Sequence, residues 1–117
     1  MAKKNRGKEK LTVAAIQLNS GIDVQKNLDA VKKEVAKMVK VPQLLVLPEV
    51  FNYRSISNHD DSYSEQLDGK SIQYLKRLAK QMGMHIIGGS ITETGPNNKA
   101  FNTTVVIDSN GDIMGVY

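Results

Sequence analysis

A carboxylate that directly follows a short apolar run is the residue of this sequence best suited to proton-transfer chemistry. Glu49 lies in Pro48-Glu49-Val50-Phe51, immediately after the apolar residues 43–47. In open α/β sheets ligands bind at the carboxyl ends of strands, so a carboxylate at this point lies where active sites form. Its apolar neighbours lead us to expect a partly desolvated side chain, which suits a proton shuttle. An exposed glutamate that merely opens a loop is the alternative reading.

The other polar residues are weaker indications of chemistry. The His59-Asp60-Asp61 run has the side-chain types of metal ligands, but adjacent residues in one loop rarely converge on one ion. A solvated loop is therefore favoured there, and no metal site is predicted. His85 alternates with apolar neighbours, as strand residues do. The pair Gly88-Gly89 lacks the surroundings of a phosphate-binding loop, which favours close backbone packing.

The first half of the chain has the pattern of a βαβ unit. Residues 11–18 and 43–47 are short apolar runs typical of strands, and the first suits a strand buried on both faces. Between them, apolar residues recur at helical spacing from an N-cap at Asp23 to about Lys40, and Pro42 blocks further helix. The two strands are therefore predicted to be parallel.

The second half predicts one more helix and then antiparallel strands. A long polar connection over 50–69 precedes a helix over 71–82 that Gly83 ends. Strands are predicted over 84–90, 100–108 and 113–117, with turns over 93–99 and at Asn110-Gly111. The predicted order is β-α-β-α-β-β-β, an α/β sheet.

Composition limits the classes of protein to consider. The 117 residues are 40% hydrophobic and 24% charged, which fits one ordinary domain. There is no cysteine, so disulfides, thiolate zinc sites and a cysteine nucleophile within this chain are excluded. The longest apolar stretch is too short to cross a bilayer and no apolar signal core follows the basic start, so we expect a cytoplasmic protein.

The positive charge is concentrated at the start of the sequence. The net charge is +4, and residues 1–10 contain five bases and one acid, whereas residues 11–117 contain 11 of each sign. We expect residues 1–10 to form a disordered basic tail. Because the body is neutral in sum, neither nucleic acid nor a membrane is an expected partner.

Five blocks in a fixed order give a more specific indication. LTVAAIQLNSG, the amphipathic helix, LLVLPEVF, IIGGSITE and AFNTTVVIDSNGDIMGVY resemble the N-terminal part of the nitrilase superfamily, the carbon-nitrogen hydrolases. The resemblance runs from about Leu11 to Tyr117 and is greatest to the omega-amidase-like branch. It implies that the chain forms half of the superfamily's four-layer α-β-β-α sandwich.

The resemblance also implies a mechanism. Members of the superfamily hydrolyse amides, nitriles or carbamoyl groups through a Glu, Lys and Cys catalytic set, with no cofactor and no metal. Glu49 matches the general base, which takes a proton from the cysteine thiol and later from water. Asn102, in Phe101-Asn102-Thr103, matches a motif position that braces the floor of the site, and Tyr53 is expected to line the substrate pocket.

The sequence departs from the family at its end. In relatives, the segment that resembles residues 113–117 leads into a motif with the catalytic lysine, and the cysteine follows later. We therefore expect residues 11–117 to be an incomplete N-terminal part of the domain, inactive alone, so that its status as an enzyme is open. Completed by a C-terminal half, it would act on a small-molecule amide or nitrile, and the chain by itself is expected to form a homo-oligomer. The alternative is a non-catalytic half-sandwich that binds a full-length relative or a separately encoded C-terminal half.

Overall fold

Both predicted helices form, and their ends follow from local chemistry. In the computed structural model, which describes residues 9–55 and 63–117, α1 spans Val24–Ala36 and α2 spans Lys70–Met82. Asp23 caps α1 by accepting a hydrogen bond from the Lys26 N–H at 3.1 Å. Gly83, at φ +64°, ends α2 in the left-handed conformation.

The predicted extension of α1 to about Lys40 is wrong. The helix ends at Ala36, because the N–H groups of Lys37 and Met38 bond to carbonyls only three residues earlier. Such bonds tighten the last turn of a helix and end its regular ladder. The chain then passes through Pro42 into the next strand.

The larger sheet has five strands in the order β1-β2-β3-β6-β7. The first three are mutually parallel, as the βαβ pattern predicts, and the last two run antiparallel. Its strands are β1 (Val13–Ala15), β2 (Leu44–Val46), β3 (His85–Ile87), β6 (Val105–Ile107) and β7 (Ile113–Val116).

A second, two-stranded sheet divides one predicted strand and contains a strand that was not predicted. The antiparallel strands β4 (Ile91–Thr94) and β5 (Ala100–Thr103) form a hairpin closed by a 3₁₀ turn at Pro96–Asn98. The prediction of a single strand over 100–108 is therefore wrong, and the strand predicted over 84–90 is β3, which ends at Ile87. Gly89, at φ +54°, turns the chain out of the larger sheet, and Thr104 is where the chain returns to it.

The helices cover one face of the larger sheet. Leu45, Ile86 and Ile107 are neighbours across the ladder, and each is fully buried. They pack with the apolar sides of both helices, which contribute Leu28, Val31, Val35, Ile72, Leu75, Leu78 and Ala79. Burial of this apolar surface is the main stabilising term of the fold.

The opposite face of the same sheet is open. Val46, Ile87 and Val106 form a row across the ladder and are only partly buried, and Val13 on β1 is 50% exposed. The prediction that the first strand is buried on both faces is wrong, because no described element packs on this side. We call this surface, formed by Val13, Ala15, Leu44, Val46, Ile87 and Val106, the open sheet face.

Some predictions fall on residues that the structure does not describe. Most of the basic tail (1–8) and the His59-Asp60-Asp61 run lie outside the described residues. Within the described part of the chain, no helix is long and apolar enough to cross a membrane. The same residues include no group of three His, Asp or Glu that could hold a metal ion.

Candidate active site

Glu49 lies in the turn that follows β2, at the carboxyl end of the parallel strands. Three hydrogen bonds fix this turn against the chain after β3. The Leu47 N–H donates to the Ile87 carbonyl at 3.0 Å, and the Val50 N–H donates to the Ser90 hydroxyl at 2.8 Å. The Phe51 N–H donates to the Ser90 carbonyl at 3.3 Å. The backbone that presents Glu49 is therefore set by the neighbouring strand.

The turn has an unusual backbone conformation that only a close fit can maintain. Val50 adopts φ +46°, which is disfavoured for a β-branched residue. Gly89 faces the turn so closely that a Cβ there would lie 1.9 Å from the Pro48 carbonyl oxygen. This contact confirms the prediction that Gly88-Gly89 serves close backbone packing.

The Glu49 carboxylate is exposed and has one described hydrogen-bond partner. Its Oε1 accepts a hydrogen bond from the Asn102 Nδ2 at 2.8 Å. The expected desolvation of Glu49 is wrong, because Leu47 and Phe51 are buried in the apolar core while the Glu49 side chain is exposed. A carboxylate held by one amide donor keeps its second oxygen free to accept a proton.

Asn102 reaches Glu49 from the two-stranded sheet. It lies on β5 opposite Thr92 of β4. The backbone of Glu65 holds this hairpin: its N–H donates to the Thr92 carbonyl at 3.0 Å, and its carbonyl accepts from the Thr94 N–H at 2.8 Å. The short hairpin thus brings a residue 53 positions away in sequence to the carboxylate.

The described contact of Tyr53 is with another aromatic residue. Its half-buried ring stacks on Tyr63, with ring centroids 4.8 Å apart and an interplanar angle of 26°. The structure therefore joins Glu49 to Asn102 by a hydrogen bond, whereas Tyr53 contacts Tyr63. The expected role of Tyr53 in lining the substrate pocket stays a prediction.

A buried polar network, which sequence reasoning missed, anchors the loop after Glu49. Asn52 is 1% exposed, and its side-chain amide donates to Glu65 at 2.8 Å and to Ser71 at 3.1 Å. The Ser71 N–H and hydroxyl both donate to the Glu65 carboxylate. From the other side, the Asn27 side chain donates to the Asn52 carbonyl at 2.8 Å. One loop is thereby tied to both helices.

The network keeps Glu65 ionised. Burial by itself raises the pKa of the Glu65 carboxyl, but donors from Ser71, Tyr63 and Asn52 outweigh burial and hold the pKa below its ordinary value. Burial and the adjacent Glu65 carboxylate together raise the pKa of the Tyr63 hydroxyl. The Tyr63 hydroxyl therefore stays protonated and donates a hydrogen bond to Glu65 across the physiological pH range.

One signal in the sequence could have revealed part of this network. Asn27 lies on the apolar side of α1 between Val24 and Val31, where a polar residue needs a buried partner. No comparable signal marks Glu65, which lies in the long polar connection and meets Asn52 only through the tertiary fold.

Comparison with known proteins assigns the chain to a family. The sequence model of the carbon-nitrogen hydrolase family matches residues 12–117. The chain belongs to the carbon-nitrogen hydrolase family. It is 35% identical over 82 residues to the omega-amidase NIT2 of Xenopus tropicalis and 30% identical over 115 residues to the omega-amidase NIT3 of Saccharomyces cerevisiae.

These matches cover only part of the relatives. The Xenopus match takes in 70% of this chain and 29% of the relative, and the yeast match takes in 91% of this chain and 40% of the relative. The carbon-nitrogen hydrolase chain described here thus spans well under half the length of the curated relatives it matches.

Solved structures of the family share the fold. The crystal structure of Saccharomyces cerevisiae Nit3, a member of branch 10 of the nitrilase superfamily, aligns with a TM-score of 0.76 at 28% identity, over 92% of this chain and 43% of that one. An N-terminal amidase aligns with a TM-score of 0.77 at 22% identity, over 92% of this chain and 27% of that one, which shows a common fold. The sheet with helices on one face is therefore part of a nitrilase-superfamily fold.

Proposed function

We propose that this chain supplies the general base of a carbon-nitrogen hydrolase and needs further protein to complete the catalytic set. The observation that supports the proposal is the Glu49 carboxylate, presented at the carboxyl end of β2 and held by Asn102 at 2.8 Å. Glu49 would take the proton of a cysteine thiol as sulfur attacks the amide carbon. It would give this proton to the departing ammonia, take a second proton from the water that hydrolyses the thioester, and return that proton to the released thiolate.

The chain alone is proposed to be inactive. Its sequence has no cysteine, so it offers no thiolate and no thioester path. The lysine of the family mechanism, which stabilises the tetrahedral intermediate, belongs to a motif that follows the segment matching 113–117. The proposed substrate of a completed assembly is a small-molecule amide or nitrile, and Tyr53 would contact it.

The open sheet face supports completion by another polypeptide. Its six residues have apolar side chains and lie on the side of the sheet opposite to both helices, where His85, the ladder partner of Leu44, is a polar neighbour. Apolar surfaces of this kind are covered in stable proteins. A C-terminal portion of a carbon-nitrogen hydrolase domain would cover this face and bring lysine and cysteine to Glu49.

A second candidate function rests on the same face. A non-catalytic module would use the open sheet face to bind a full-length relative without completing the catalytic set. The two candidates differ in one outcome, because only completion of the catalytic set produces turnover.

The test is ammonia release with and without a complementing polypeptide. The chain is assayed on a panel of ω-amides, alone and after co-expression with the C-terminal portion of an omega-amidase. We expect no release above the buffer blank for the chain alone and measurable release for the co-expressed pair. Release by the clean chain would refute the proposed division of the catalytic set, and an assembled but inactive pair would favour the interaction module.

A further inference from the structure

Residues 11–117 are neutral in sum, but their positive and negative charges are concentrated in different parts of the chain. Within residues 11–117, the helices α1 and α2 contain seven Lys or Arg and only two acids. The remainder of that range contains four bases and nine acids. The helical layer, formed by α1 and α2, therefore has a net charge of +5, although the sum over the body is zero.

Most of this positive charge is not neutralised within the molecule. Among the residues that the structure describes, the only ion pair joins Glu34 of α1 to Lys37, the C-cap of that helix, at 2.9 Å. Lys32 on α1 and Arg77 on α2 are exposed and unpaired. Unpaired cations concentrated on one face attract an anionic partner.

These two cations flank a groove between the helices. One end of the groove is a cavity of about 180 Å³ lined by Lys32, Tyr74, Arg77, Leu78 and Gln81. The hydroxyl of Tyr74 is buried there without a hydrogen-bond partner. Burial and the nearby Asp29 raise the pKa of that hydroxyl, so it remains protonated and can donate. A buried donor without a partner leaves hydrogen-bonding capacity for a ligand.

The groove continues into an apolar end. A neighbouring cavity of about 190 Å³ shares Lys32, Leu78 and Gln81 and adds Val35, Ala36 and Met82. A ligand that fills the whole groove must therefore offer an anion at one end and apolar side chains at the other. The described groove has no aromatic ring besides Tyr74 to stack on bases, which argues against a nucleic acid.

We propose that the groove between α1 and α2 is a docking site for an acidic protein segment with apolar side chains. A carboxylate of the segment meets Lys32, Arg77 and the Tyr74 hydroxyl, and its apolar side chains pack against Ala36 and Met82. Amphipathic helices bind grooves in this manner. The site lies on the side of the sheet opposite to the open sheet face, so it does not depend on the proposed catalytic role.

The test uses a fluorescein-labelled peptide with Glu and Leu at helical spacing, about three turns long. Fluorescence anisotropy follows its binding to the full chain. We expect the double charge reversal Lys32→Glu with Arg77→Glu to weaken binding about tenfold or more. The matched control is Lys33→Glu with Lys80→Glu, which changes the same charge on the same two helices outside the groove. We expect that control to change affinity by about twofold at most in physiological salt.

Two further measurements make the outcome decisive. Tyr74→Phe removes only the hydroxyl and is expected to weaken binding about fivefold, a loss that remains informative if the charge reversals disturb folding by circular dichroism. A peptide with Ser in place of Leu should bind clearly more weakly. Three results would overturn the proposal. The first is an equal loss of peptide affinity in both double variants, and the second is an unchanged affinity in Tyr74→Phe. The third is displacement of the Glu-Leu peptide by an oligothymidylate.

Discussion

Individual polar side chains anchor the loop that follows the candidate base. The Glu65 carboxylate accepts hydrogen bonds from Ser71 and Asn52 while it is only 8% exposed. Hydrogen bonds to a buried charge are stronger than bonds between neutral groups. Glu65 thus serves structure, whereas Glu49, exposed and held by one amide, is free for chemistry.

The first prediction concerns Glu65→Gln and its dependence on pH. Because the folded pKa of Glu65 lies below its ordinary value of 4.5, the ionised carboxylate adds stability above that pH. This contribution disappears as the pH falls through the depressed folded pKa. At neutral pH the variant should lose about 2 kcal/mol of unfolding free energy, since an amide nitrogen meets the donors of Ser71 or Asn52.

Urea unfolding at neutral pH and below pH 4.5 measures this effect. The difference between wild type and variant should shrink in acid. Glu34→Gln, which removes only the surface ion pair with Lys37, serves as control and should change stability by less than about 0.5 kcal/mol at either pH. A Glu65→Gln deficit that stays constant with pH would contradict the role assigned to its charge.

The second prediction concerns Asn102. Asn102→Leu keeps the approximate size of the side chain but removes the donor that holds Glu49, so kcat of a complemented assembly should fall about tenfold. Since Asn102 is exposed, thermal unfolding should change little. Lys99→Ala, at an exposed position of the same hairpin, is the control for kcat. Unchanged kcat in Asn102→Leu would show that the hydrogen bond does not position the base.

At the scale of elements, the turn after β2 and the exit from β3 form one unit. Ser90 bonds to the backbone of Val50 and Phe51, and Gly89 allows the two chains to meet. The positive φ of Gly89 also directs the chain out of the larger sheet into the hairpin that bears Asn102. Gly89 therefore shapes both the turn that presents Glu49 and the hairpin that bears Asn102.

The third prediction follows from that geometry. Gly89→Ala adds a Cβ 1.9 Å from the Pro48 carbonyl oxygen at a φ of +54°, and should destabilise the fold by about 3 kcal/mol or more. Gly115→Ala is the matched control, because no atom lies within 4 Å of a Cβ there. Chemical denaturation compares the two variants. Equal stability of both would contradict the close packing at Gly89.

The sequence predicts those elements whose determinants are local. The apolar spacing of both helices, the Asp23 cap, the Gly83 end and the Asn110-Gly111 turn, where Gly111 has φ +83°, all act within a few residues. The division of the later strands into two sheets could not be predicted, because it depends on where Gly89 meets Pro48 in three dimensions. Glu49 is predicted as a candidate from its position after an apolar run and as the general base from the family resemblance, whereas its exposure and the Glu65 network required the structure.

At the scale of the whole molecule, the two faces of the larger sheet differ in burial. One face is buried under both helices, whereas the open sheet face keeps Val13 50% exposed. Exposed apolar surface promotes association in water. The chain alone is therefore expected to self-associate through this face when no complementing polypeptide is present.

The fourth prediction tests that association. In size-exclusion chromatography the chain should elute as larger than a monomer, and Val46→Thr with Val106→Thr should shift it toward the monomer. These substitutions keep the β-branched shape and add hydroxyls to the open sheet face. The control is Val39→Thr, a fully exposed valine elsewhere. A sharp monomer peak of the unmodified chain with cooperative melting would contradict the expectation.

The most direct test of the central claim is Glu49→Gln in a complemented assembly. This change keeps the size of the side chain and its hydrogen bond from Asn102 but removes the ability to accept a proton. We predict that ammonia release from ω-amides falls at least about a hundredfold, while the assembly elutes unchanged and Glu34→Gln retains full activity. Turnover retained by the Glu49→Gln assembly would contradict the assignment of Glu49 as the general base.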